Sequence, residues 1–134
     1  MASRFPIIVN SSSNSLQEIP ASDHIVFDSA AGNITALSDA STIAVDFSDS
    51  NNFSVTLGGA RTLGNPSNVV AGQSGFIAVT QDGTGGRTLA YSGNWSFASG
   101  TAPTLSVGAG TTDLLAYYAR TTTDIIADVI LDVK

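Results

Sequence analysis

Few side chains in this sequence could do chemistry, and their spacing decides what kind. Asp23 and His24 put a carboxylate beside the only imidazole. Neighbours on an extended chain point to opposite faces, so the pair does not cooperate as acid and base. Asp46, Asp49 and Asn51 cluster oxygen ligands suited to a hard cation. They lack the alternating acidic loop with a closing glutamate that calcium loops use, and they read as a turn capped by its own side chains. Asp113, Asp124, Asp128 and Asp132 supply the carboxylates that glycoside hydrolysis would need. Asp124, Asp128 and Asp132, however, share a strand face with Ile126 and Ile130, which reads as a partly covered outer face. Gly83-Thr84-Gly85-Gly86 is glycine-rich, but no Gly-Lys-Ser/Thr follows, so it reads as a hairpin tip and not a phosphate loop. Trp95 and Tyr91 offer ring faces on which a sugar could stack. In a small β domain such rings, with Phe97, Tyr117 and Tyr118, more often form core. No catalytic set, cofactor or metal site is expected. With no Cys and one His, zinc sites, disulfides and thiol nucleophiles are excluded.

The charge pattern narrows the partners. Five Lys and Arg against eleven Asp and Glu leave a net charge of −6 in 134 residues, and only 12% of residues are charged. An average soluble domain has about 25%. Five cations do not make a phosphate-binding surface, so nucleic acid is not an expected partner. The only Lys is Lys134. Lys is the usual guard of exposed strand edges, so a β-rich chain that dispenses with it is expected to be a subunit covered by neighbours. The alternative is a small acidic globule kept in solution by its net charge. No segment reaches the roughly 18 apolar residues of a membrane span. The apolar run at Phe5–Val9 is too short for a signal peptide, so assembly in a cytoplasm is expected.

The elements that would position these residues are strands. Thr42–Phe47 alternates with Ile43, Val45 and Phe47 on one face, and Asn52–Leu57 repeats the pattern with Phe53, Val55 and Leu57. Gly75–Gln81, Arg87–Tyr91, Asp113–Arg120 and Asp124–Val133 follow, separated by turn-rich stretches. Asp82-Gly83 between β-prone runs predicts a hairpin. About eight to ten strands and no helical periodicity predict an all-β fold, an antiparallel β-sandwich or jelly-roll-like barrel. No internal repeat is convincing. Residues 1–30 differ: short apolar pieces, a serine-rich connector and two prolines read as an extended N-terminal arm. Residues 31–134 form the body.

Two stretches carry a resemblance. Arg4-Phe5-Pro6-Ile7-Ile8-Val9-Asn10, with Leu16-Gln17-Glu18-Ile19-Pro20-Ala21-Ser22-Asp23, resembles the N-termini of small virion structural proteins of tailed bacteriophages, as in phages of marine bacteria and cyanobacteria. Ala21-Ser22-Asp23 stands where that pattern has Ser-Gly-Asp. Thr56 to about Arg120, including Gly59-Ala60-Arg61-Thr62-Leu63-Gly64-Asn65-Pro66 and Asp113-Leu114-Leu115-Ala116-Tyr117-Tyr118, is similar to a β module of tail-fibre-like and capsid-associated phage proteins. The resemblance implies a virion structural protein, most simply a capsid decoration (cement) protein on the capsid surface. Its partners would be the major capsid protein and itself, as a homotrimer. A tail or head-fibre component contacting a receptor, or a carbohydrate-binding module, are the alternatives. Phe5, Pro6, Ile7, Ile8, Val9, Leu16 and Ile19 are the expected partner-binding residues of the arm, through strand addition to a neighbour. Deleting residues 1–20 is expected to abolish capsid binding while the body stays folded. Sedimentation of the truncated chain with purified capsids checks this, and wild-type binding would refute the arm's role.

Overall fold

The computed structural model describes residues 7–10, 15–18 and 31–134. The chain divides into two compact units, Met1–Ala31 and Gly32–Lys134. In the first, β1 (Ile7–Asn10) and β2 (Ser15–Glu18) pair antiparallel, with Ile7 opposite Glu18 and Asn10 opposite Ser15. The two short pieces that were expected to be extended and able to add to another sheet are extended and satisfy each other's backbone on one side as an antiparallel pair. Phe5, Pro6 and Ile19 of the expected arm surface lie outside the described residues.

The second unit is all-β, in two layers. β3 (Ile34–Ala36), β5 (Asn52–Leu57), β7 (Ser74–Gln81), β10 (Thr112–Thr121), β11 (Asp124–Ile130) and β9 (Trp95–Ser96) form a six-stranded sheet in that spatial order. β4 (Thr42–Ile43), β6 (Arg61–Leu63) and β8 (Leu89–Tyr91) form a three-stranded sheet. From β3 to β8 the chain alternates strictly between the two sheets. Each corner carries it across to the other layer, so the next strand of a given sheet returns in the same direction. Hence β3, β5 and β7 pair in parallel, as do β4, β6 and β8. The result is a three-rung, two-sided coil. The chain reverses only at its end, where β10 runs antiparallel to β7 and β11 folds back on β10.

The all-β class is as expected. The antiparallel sandwich or jelly roll is corrected: antiparallel ladders are confined to β7–β10–β11 and to the first unit. The physical reason is visible at residues 82–88. The Asp-Gly turn is not a hairpin tip, because β7 and β8 belong to different sheets. Asp82 accepts the N–H groups of Thr84 (3.0 Å) and Gly85 (2.9 Å), which folds the chain around a corner instead of back on itself. Gly85 has φ +73°, and a Cβ there would meet the Val107 carbonyl at 2.6 Å.

Period-two strands put alternate residues into the space between the layers. Phe53, Val55 and Leu57 face Ile43 and Leu63 across it, with Ile77, Val79 and Leu115 alongside, all buried. Phe47 anchors the aromatic part of this core. It stacks on Tyr117 with ring centres 4.6 Å apart, and Trp95 stands edge-on to both. At Gly75 the start of β7 lies close against the residue before β5: a Cβ would lie 1.7 Å from the Asn51 carbonyl oxygen. That oxygen accepts the Phe76 N–H (3.2 Å) and the Tyr117 hydroxyl (2.8 Å). Gly75→Ala is expected to cost about 3 kcal/mol or more, because backbone and not a side-chain tip must give way. Chemical denaturation checks this, and a loss below about 1 kcal/mol would show that the start of β7 yields.

Candidate functional site

The carboxylates that might have formed an acid–base pair are each engaged in holding the chain. Asp113 is 2% exposed; one oxygen accepts the Asp132 N–H (2.8 Å) and the other the Ser106 N–H (2.7 Å). It clamps the 98–111 loop and the C-terminal segment onto β10, and the two backbone donors satisfy a buried carboxyl that would otherwise cost free energy. Asp124 accepts from Ser96 (2.9 Å) and from Arg120 Nε (2.7 Å), and these hold its carboxyl below the ordinary value, Arg120 contributing most. Asp128 accepts the Val129 N–H at 2.8 Å, and Asp132 pairs with Lys134. In the turn near Asp46, its carboxylate accepts from the Asn68 amide (2.9 Å) and from Ser48 N–H and Oγ (2.9 and 2.7 Å). Asp49 is not part of that set, whose N–H and O–H donors leave no ligand cage. Among the described residues no three acidic or histidine side chains gather where a metal ion could be held.

The two rings considered for sugar stacking serve the interior. Trp95 is 6% exposed, and its Nε1 donates to the Gly64 carbonyl at 2.9 Å, tying the end of β6 to β9. The ring is enclosed in the core, in edge-to-face contact with Phe47 and Tyr117. Tyr91 sets its ring edge-on against Phe97, 4.6 Å between centres. Its hydroxyl is buried and has no hydrogen-bond partner among the described residues, and burial pushes the phenol up to about 12. Ile7, Ile8, Val9 and Leu16 lie on β1 and β2 of the first unit.

The feature that stands out on the second unit is the outer face of the six-stranded sheet. In-register pairing lays its residues in rows. One row runs Ile34, Asn52, Phe76, Ala116, Asp128. The row on one side runs Ala36, Ser54, Ala78, Leu114, Ile130, and the row on the other Ser74, Tyr118, Ile126, Ser96. Ile34 is 66% exposed, Ile130 56%, Tyr118 48%, Phe76 45% and Ile126 44%. A sheet with one wet face ordinarily alternates apolar-in and polar-out. Here both faces are apolar at the centre, and charge is confined to Asp128 and the Arg120–Asp124 pair at one corner. Ile126 and Ile130 were legible in sequence as an outer face. Ile34 and Phe76 were not singled out, although β7 shows the signal: Phe76 and Ala78 alternate with Ile77 and Val79, leaving no polar face at mid-strand.

Gln81 was also missed. Buried at 3% exposure, it donates to the Arg87 carbonyl (2.9 Å) and accepts the Arg87 N–H (2.8 Å), bracing the 82–86 corner from inside. Asp82 closes the same corner from outside through Arg87 (Nη2 to Oδ2, 2.8 Å). This pairing first, and the Gly85 and Thr84 amides after it, bring the Asp82 carboxyl from 3.8 to about 2. Asp46 is likewise held at about 2, chiefly by Asn68 and then Ser48. Both values are depressed in the folded chain. Their stabilisation is therefore complete above the unfolded carboxyl range and is lost as pH falls from about 4 through 2. The urea midpoint is expected to be flat from neutral pH to about 4.5 and to fall below it, with a shallower fall in Asp46→Asn. Equal slopes in both proteins would contradict this.

These observations describe a β body whose carboxylates are engaged by its own backbone and cations and whose larger sheet has an exposed outer face that is apolar at its centre. A family model described as "Putative phage tail fibre C-terminal domain" matches residues 26–116, about two thirds of the chain, from before β3 to the middle of β10. No curated protein and no solved structure matches. The chain belongs to the phage tail fibre C-terminal domain family and is a structural protein of the phage virion.

Proposed function

We propose that this chain works as a tail-fibre module, a β-structured building block that binds and holds without catalysing. The observation that carries the reading is that the family match spans almost the whole coil, β3 through β8, and enters β10. The disposition of the polar groups supports it: the candidate carboxylates are engaged by backbone amides or cations, as a load-carrying module requires and an acid–base site does not.

Capsid decoration is the second reading, and the separate first unit with its β1–β2 hairpin favours it. A shell-bound subunit needs an attachment element distinct from its body, and on this reading the hairpin's open edges would reach the major capsid protein. The homotrimer belongs here too, since closed symmetry would cover strand edges. Copy number separates the two readings. Quantitative mass spectrometry of purified virions, with gold-labelled antibody against residues 31–134, is expected to find a few to a few tens of copies at the tail. Hundreds of copies spread over the head would establish decoration instead.

A further inference from the structure

We propose that the outer face of the six-stranded sheet packs against the same face of a second copy of this chain. Apolar patches of this extent on a monomer mark interaction sites. The question is what covers this one, and size, charge and relief answer together.

From β3 to β11 the strands stand about 4.8 Å apart and the three rows about 6.7 Å apart, so the face measures about 20 Å by about 13 Å between Cα positions. With its rim of side chains it covers about 600 Å² per copy, about 1,200 Å² for a pair, which reaches the range of specific stable interfaces. Each copy carries a net charge of −6. Two such chains repel wherever their acidic surfaces approach, and this face is the part of the second unit where they do not. Its three charged side chains lie at one side: Arg120 is already paired with Asp124, and Asp128 is already bonded to backbone. The relief suits a like partner. Phe76 stands beside Ala116 in one row and Leu114 beside Ala78 in the next, so a copy turned by a two-fold axis can set its large residues over the other's small ones. This pairing goes beyond the fibre reading and applies equally to a subunit on a shell.

Sedimentation equilibrium of the full chain over micromolar to several hundred micromolar tests it. The wild type is expected to associate, and Phe76→Asp/Ile126→Asp to weaken association at least 100-fold while retaining the circular dichroism of the parent. Val107→Asp, at a residue more exposed than either but on the 98–111 loop, is expected to leave association unchanged. Should the double variant lose its fold, Ile130→Asp at the rim is expected to weaken association at least 10-fold. A wild type that stays monomeric overturns the proposal, whether residues 1–30 or another virion protein covers the face. Association that survives in the folded Asp variants overturns it too.

Discussion

The ladder between β5 and β7 constrains everything else in the second unit. Its six parallel pairs, from Asn52 opposite Phe76 to Leu57 opposite Gln81, leave residues 58–73 no way to return within the sheet. Parallel neighbours need a crossover, and here the crossover contains no helix. It is a corner at Gly58-Gly59-Ala60, one short strand, β6, in the opposite layer, and a second corner. β6 then needs neighbours of its own, which β4 and β8 supply by the same route. The two layers are thus consequences of one another, and the core between them is filled by residues that every rung contributes.

A coil of this kind is held at its corners as much as in its core. Asp39 takes the Arg61 guanidinium and the Gly58 amide at one corner, and Asp82 takes Arg87 and two amides at another. Surface ion pairs alone contribute little, but these also cap backbone groups that a sharp turn would otherwise leave unpaired. The Asn51 carbonyl and the Trp95–Gly64 bond perform the same service from inside. Two of the ion pairs, Asp39–Arg61 and Asp82–Arg87, thus stand where the backbone changes layer.

Much of this was legible in the sequence, and the rest was hidden for identifiable reasons. The inward residues of 43–47 and 53–57 and the strands near 75–81, 113–120 and 124–130 follow from period-two alternation. Pairing direction does not, because Gly, Asp and Asn serve a hairpin and a layer-crossing corner equally well; Asp82-Gly83 was read as the first and is the second. The rungs escaped notice as a repeat because they are unequal: Ile34 pairs with Asn52, 18 residues on, and Asn52 with Phe76, 24 residues on. Asp113 looked like any other carboxylate, since its clamp partners at Ser106 and Asp132 are backbone amides that no residue type announces. Trp95 could not be placed by type alone, because a ring that stacks on a sugar and a ring that seals a core are the same ring.

The bond from Asp128 to the Val129 amide has a consequence for the exposed edge of β11. The Ile125 N–H points toward β9, and by the alternation of a strand so does that of Val129. β9 pairs only as far as Ile126, so the Val129 amide would be a vacant docking point for any passing strand. A neighbouring carboxylate already occupies it. Side-chain termination of this kind removes a free donor from this stretch of the β11 edge, where edge-to-edge strand pairing would otherwise find a start.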